Sequence, residues 1–347
     1  MPDFLRGALR LGSALLAALA LTVLVIALAH GSPAKGLTAL AVGAFGSPYD
    51  LGNTLSKMTP LLLTGLGVAL AFRARLWNIG GEGQFLVGSV AAAAIGAYTL
   101  KGLPAPVLIP LLLIAGALAG AAWAGLAGWM RVARGVPEVI STIMLNFVAA
   151  QLLSYLVGFG GPLQEASRAQ PSAEALPPNA MLPNALPASP LHAGFGLALL
   201  VAVAVAVYLS QTRAGFAVRA VGANPDAARV AGISVERTQL TTMLWSGALC
   251  GLAGAVELSG AIGTFSADYA PGYGFTAVAV ALLGRLNPGG IVLSALFFGA
   301  LAAGSGSMER TAGISSVLVY VIQAVALLVL LGSQWIRWER PAKAVQR

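Results

Sequence analysis

Residues 106–130 read PVLIPLLLIAGALAGAAWAGLAGWM, twenty-five positions without a charged side chain, and Arg131 and Arg134 follow at once. A helix of this length crosses a hydrocarbon core of roughly 30 Å, with its backbone polar groups paired inside the segment. The rest of the chain has the same character. Of 347 residues, 58% are hydrophobic and 9% charged, against about 25% charged in an average soluble domain. The mean hydropathy is +0.84. Too little polar surface exists for a water-soluble enzyme of this size, and disorder needs low hydrophobicity. The apolar runs are continuous, without the ten-residue alternation of a membrane β-barrel. An all-α, polytopic membrane protein is expected.

Further runs of spanning length lie at 11–30, 54–72, 83–100, 139–160, 194–210, 239–262 and 314–332. Two shorter ones, 274–284 and 290–305, flank Arg285-Leu286-Asn287-Pro288-Gly289 and read as a pair of short or broken helices shielded by neighbouring protein. About ten transmembrane helices result, in a single domain over 1–347. Cytoplasmic connections are enriched in Lys and Arg. With the N-terminus inside, fifteen of the twenty basic residues fall on inner segments, and only Lys35, Lys57, Lys101, Arg168 and Arg310 fall outside. Both termini are therefore expected in the cytoplasm. At the start of the chain, Arg6, Arg10, an apolar run and Ala27-Leu28-Ala29 also fit a cleaved signal peptide. Cleavage would leave the downstream orientation unchanged.

Several chemistries are excluded. One cysteine, Cys250, allows neither an internal disulfide nor a cysteine metal cluster. None of the four lysines directly follows a glycine, so there is no phosphate-binding G-x-x-x-x-G-K loop. No metal or other cofactor is expected on this chain. The basic residues are scattered rather than clustered, which argues against nucleic acid despite a pI near 10.1. His30 and His192, at the outer ends of spans, read as interfacial anchors. Only Glu257 lies well inside a span, which is thin machinery for a proton relay. Gly116, Gly120, Gly247 and Gly251 keep the four-residue spacing that lets membrane helices approach closely.

The connection 211–237 contains Asn224-Pro225-Asp226-Ala227-Ala228-Arg229-Val230-Ala231-Gly232, which carries both stops of a short helix over 225–232. Asn224 is a favoured N-cap, Pro225 suits the first helical position, and Asp226 and Arg229 complement the dipole. Gly232 supplies a left-handed stop. Two turns are marginal alone, so docking against another surface and a solvated connector are both open readings.

Four stretches together carry a resemblance. They are Thr212-Arg213-Ala214-Gly215-Phe216 continuing through Arg219 and Asn224-Pro225-Asp226 to Gly232-Ile233; Leu76-Trp77-Asn78-Ile79-Gly80-Gly81-Glu82-Gly83-Gln84-Phe85; Pro137-Glu138-Val139-Ile140-Ser141-Thr142 to Asn146; and Gly272-Tyr273-Gly274-Phe275 through Pro288-Gly289. The chain resembles the permease subunits of bacterial ATP-binding-cassette importers for sugars, branched-chain amino acids and nucleosides. The Asn-Ile-Gly-Gly-Glu-Gly-Gln form and the long outer loop 161–192 look most like nucleoside-type permeases. A simple-sugar or amino acid importer is the alternative, and a stand-alone secondary carrier or a membrane enzyme are readings from other classes.

The resemblance implies a core over 54–332, an accessory first helix at 11–30 and a multi-pass location in the plasma membrane. It implies separate cytoplasmic ATP-binding subunits, a second permease subunit (identical or paralogous) and an external substrate-binding protein. Arg219, Asn224, Pro225, Asp226, Arg229 and Gly232 would couple to the ATPase. Asn78, Glu82, Gln84, Glu138, Ser141, Thr142, Asn146 and Glu257 are candidates for the path or its gate. Glu82 and Glu138 could equally pair with Arg73, Arg75 or Arg134. Arg75-Leu76 and Arg285-Leu286, each followed by a Gly-Gly, open two similar turns that read either as an internal repeat or as coincidence. The proline-rich loop 161–192 is expected to be extended and irregular, as a docking surface or a passive linker.

Overall fold

The computed structural model describes residues 32–315, with the separate positions 23, 27, 318 and 321–324, and among these every named element is a helix. In chain order these are α1 (Pro33–Phe45), α2 (Pro48–Arg73), α3 (Gly81–Ala93), α4 (Ala105–Arg134), α5 (Glu138–Val157), α6 (Gly194–Gln211), α7 (Arg213–Ala223), α8 (Pro225–Val230), α9 (Val235–Glu257), α10 (Tyr273–Leu283) and α11 (Pro288–Ala312). π-Helical turns extend α3 over Ala94–Thr99 and α9 over Leu258–Ile262. Helices α2, α4, α5, α6, α9 and α11 are each long and apolar enough to cross a membrane. The expected spans 11–30 and 314–332 lie largely outside the described residues, as do the signal-peptide alternative and His30.

Two expectations are corrected. The 290–305 run is no short or broken helix but part of the unbroken, 25-residue α11. Small polar residues at 304–307 lower the hydropathy without breaking the helix, because Ser305 Oγ donates to Ala302 O at 2.7 Å, as Thr311 Oγ1 does to Ser307 O. Only α10, with 11 residues, is short. The segment after residue 32, read as a connection, contains the 13-residue α1.

The chain divides into two compact units, 1–54 with 300–347, and 55–299. In the first, α1 packs on the end of α11 at backbone distance. A Cβ on Gly304 would lie 2.4 Å from Leu40 O, and one on Gly43 2.3 Å from Ser307 Cβ.

In the second unit, α3, α4 and α9 meet along their glycines. A Cβ on Gly120 would lie 2.3 Å from Gly247 O, one on Gly251 2.2 Å from Gly116 O, and one on Gly88 2.3 Å from Gly251 O. The four-residue spacing of small residues is thus used for helix packing, where van der Waals contact replaces the hydrophobic effect. Hydropathy sorts the layers. Helices α4 and α6, at mean hydropathy 2.2 and 2.0, bury only 28% and 22% of their apolar windows, whereas α2 and α9, at 1.5 and 1.2, bury 83% and 61%. The less apolar helices are inside because their polar side chains need protein partners rather than lipid.

Candidate functional site

At one end of the second unit, the connections after α2, α4, α6 and α10 gather. Arg73 Nε donates to Leu286 O at 2.7 Å, and a Cβ on Gly222 of α7 would strike Arg73 O. Here the short helix forms as its caps require. Asn224 Oδ1 accepts from the N–H groups of Asp226 (3.0 Å) and Ala227 (3.1 Å), Pro225 opens the helix, and Gly232 has φ +81°. Ile233 N–H returns to Ala228 O at 3.0 Å, completing the left-handed stop. The helix proper ends at Val230, a residue or two before the expected 232. Ala228 roots it in a small cluster with Val221 and Val235. Arg229 is held by Asp226 (3.2 Å) and by Glu236 (2.9 Å).

This prop leaves a defined face outward. Val230 is 91% exposed and the Asp226 side chain 91%. Val230 was not among the expected coupling residues, since the caps carry the sequence signal and an apolar side chain left bare on a two-turn helix shows only in the structure. Arg219 does not share that face. It lies on α7 with its guanidinium 6.0 Å from the Phe216 ring centroid, and its Nη1 is buried without a hydrogen-bond partner among the described residues.

The turn between α2 and α3 is held by the polar residues read as path candidates. Asn78 Nδ2 donates to Gln84 Oε1 (3.0 Å) and Ser246 Oγ (2.8 Å), while Asn78 Oδ1 accepts from Gln84 Nε2 (2.9 Å) and Gly80 N–H (3.0 Å). Asn146 of α5 accepts from Gly83 N–H (2.8 Å) and donates to Ile79 O (2.9 Å). Ser141 and Thr142 hydroxyls turn back to Glu138 O at 3.2 and 2.7 Å. Glu138 takes Arg131 at 3.3 Å and Trp77 N–H at 3.2 Å, so its partner is Arg131 rather than Arg73, Arg75 or Arg134. Glu82 pairs with no arginine among the described residues either. Its carboxylate accepts from Gly272 N–H (2.8 Å) and Gly274 N–H (2.7 Å), capping α10 from a different part of the chain.

The two similar turns share geometry as well as sequence. Arg75 and Arg285 have φ +58° and +53°. Leu76 N–H reaches Ala71 O at 3.0 Å and Leu286 N–H reaches Ala281 O at 2.9 Å, the same helix stop in both places.

At the opposite end, loop 161–192 is irregular apart from the turn Pro178–Ala180 and isolated antiparallel bridges such as Gln164 with Ala173, yet it is strapped down. Ala173, Leu176 and Leu182 donate their N–H groups to Phe265, Gly263 and Ser259 carbonyls at 2.9, 2.8 and 2.7 Å. His192 is no interfacial anchor. It is fully buried against Gly194 and Gly260, neither ring nitrogen has a hydrogen-bond partner among the described residues, and burial lowers its pKa to about 4. Beneath this loop, Glu257 meets Lys57 (3.8 Å) and the Tyr273 hydroxyl (3.1 Å).

Apolar outer helices, a polar-laced interior and a helix offered at one end define a polytopic membrane protein. Residues 51–331 match the family described as branched-chain amino acid transport system / permease component, and the chain belongs to that family. Similar proteins include the guanosine ABC transporter permease NupP of Bacillus subtilis, 38% identical over 94% of this chain and 93% of its own. The nucleoside permease NupB of Lactococcus lactis is 35% identical over 88% and 86%. The glucose ABC transporter permease TsgB13 of Haloferax volcanii is 38% identical over 96% and 89%. The chain is therefore the permease component of an ABC importer, a multi-pass plasma-membrane protein rather than an enzyme. Membership implies ATP-binding subunits and a substrate-binding protein as partners.

Proposed function

We propose that this permease imports a nucleoside, with both termini cytoplasmic, about ten spans and a second permease subunit completing the path. Two of its relatives are named for guanosine and nucleoside transport, and NupP matches almost end to end at 38% identity. Helix α8 is the part that would take force from the ATP-binding subunit. The observation carrying this is its construction, capped at both ends and rooted by Ala228, with Asp226 and Val230 exposed. Asn224, Pro225 and Gly232 shape it, Arg229 braces it through Glu236, and Arg219, which lies over Phe216 within α7, would act from beside it. Of the path candidates, Asn78, Gln84, Glu138, Ser141, Thr142 and Asn146 have their polar groups turned onto the chain and would act by holding the gate turn. Glu82 likewise has both carboxylate oxygens on the α10 backbone, so Glu257, with Oε2 unpartnered among the described residues, is the candidate nearest to a solute role.

Two measurements test this. The double variant Asp226→Lys/Arg229→Glu should insert normally and abolish uptake; normal uptake would remove the coupling assignment. Radiolabelled guanosine uptake by a deletion strain expressing the complete importer should be competed by nucleosides. Competition by glucose alone would transfer the substrate to the hexose reading that TsgB13 supports.

A further inference from the structure

Most buried polar side chains in this bundle have partners, and the exceptions are few. Beside His192, Arg219 and Ser294, they are Glu257 Oε2 and the Tyr269 hydroxyl, which meet no hydrogen-bond partner among the described residues. Native folds rarely leave buried acceptors unmade, and such an exception calls for an explanation. These last two belong to one cluster. Glu257, its side chain 2% exposed, gives Oε1 to the Tyr273 hydroxyl at 3.1 Å, with Lys57 Nζ 3.8 Å away. Lys57 Nζ also donates to the Tyr273 oxygen at 3.3 Å. Phe85 lies 5.6 Å from the Tyr273 ring and 6.5 Å from the Tyr269 ring, and Phe265 stacks on Tyr269 at 5.8 Å. Burial raises the Tyr269 phenol's pKa, and the nearby carboxylates of Glu257 and Glu82 raise it further, so it stays a protonated donor.

We propose that Glu257, Tyr269 and Tyr273, backed by Phe85 and Phe265, form a subsite for the vicinal diol of a neutral sugar-bearing solute. The proposal rests on the import reading above and names the part of the solute this site would hold. Lys57 and Glu257 face each other, so the site offers no unmatched charge to a cation or an anion. It offers a free carboxylate oxygen, a free phenol and aromatic faces. A diol supplies the hydroxyl donor for Glu257 Oε2 and an acceptor for Tyr269, while the C–H face of the sugar, or an attached base, lies on the half-buried rings of Tyr269 and Tyr273, which the buried Phe85 and Phe265 back. Lys57, with 37% of its side chain exposed, marks the open side of the cluster. Ribose and glucose both carry such a diol, which fits nucleoside and glucose permeases being similarly related to this chain.

The test compares uptake of guanosine, 2′-deoxyguanosine and 2′,3′-dideoxyguanosine by the complete importer in the wild type, Glu257→Gln and Tyr269→Phe. The substrate-binding protein is identical in every arm, so the readout is the variant-to-wild-type ratio for each solute. Glu257→Gln is nearly isosteric, and Tyr269→Phe removes a hydroxyl without a hydrogen-bond partner among the described residues, so folding is not at stake in the second. Losing a hydrogen bond to a charged group should lower guanosine uptake about 10-fold or more in Glu257→Gln, and several-fold in Tyr269→Phe. Dideoxyguanosine uptake should stay within about two-fold of wild type in both. Equal losses for all three solutes, or no loss for any, would overturn the subsite. If the importer carries glucose and no nucleoside, the nucleoside reading fails, and the same variants with glucose and methyl 3-deoxyglucoside, which has no vicinal diol, decide the subsite. If it carries neither, the subsite is overturned.

Discussion

Replacing Asn224 with alanine isolates the construction of α8. The substitution removes the acceptor for two N–H groups, those of Asp226 at 3.0 Å and Ala227 at 3.1 Å. Such a cap is worth about 1 kcal/mol. Helix α8 has six residues and one buried side chain, Ala228, so no long run of intrahelical bonds absorbs the loss. The cost falls on local opening rather than on the bundle, and about 1 kcal/mol raises the open population roughly five-fold. Hydrogen exchange of the purified protein should then speed up about five-fold across residues 226–233 and stay unchanged in α4. Asn224→Asp keeps the acceptor and favours the dipole, so its exchange should match wild type. Gly232→Ala approaches from the other end: with φ +81° and no atom within 4 Å of the added Cβ, its cost is purely backbone, again about 1 kcal/mol. ATP-driven uptake should fall with α8 protection in both variants. Unchanged exchange in Asn224→Ala, or acceleration spread through α4, would refute the account.

Two further predictions concern the bundle and the loop 161–192. Gly251→Ala should lower the melting temperature in detergent, because its Cβ would lie 2.2 Å from Gly116 O and 2.8 Å from the Gly120 Cα, and overpacking costs about 1–3 kcal/mol. Gly125→Ala meets only Leu244 Cδ2, a movable side-chain end, at 2.8 Å, so it should be near neutral; equal effects would contradict the packing. His192 is held neutral by burial, its pKa about 4 against an ordinary 6.5, so its contribution to stability is present above pH 6.5 and is lost as pH falls toward 4. Exchange of residues 182–193 should rise through that window and rise less in His192→Leu, and identical profiles would show that another group controls the loop.

Much of the fold is legible because a membrane makes each span a local problem. Twenty or so apolar residues must pair their own backbone groups, so α4, α5, α6 and α9 follow the hydropathy within a few residues. The caps of α8 are equally local, since Asn224 bonds two and three residues ahead. Local reasoning also has limits. It ended α11 at a polar stretch that the helix passes through, and it overlooked α1, whose glycine contact on α11 comes from over 250 residues away.

The polar interior was legible as residue types and not as pairings. Asn78, Gln84 and Asn146 stood out in the sequence as groups available to a solute, yet they saturate one another and the backbone around one turn. Glu82 caps α10 across 190 residues, and Glu257 meets Lys57 across 200. By itself, the sequence determined that this chain is a bundle of membrane helices with a short capped helix in one connection, because those features are set by interactions within a few residues. Only the tertiary structure decided which buried polar groups are spent and which are left over. A hydrogen bond between distant helices depends on three-dimensional register, and no local pattern records that.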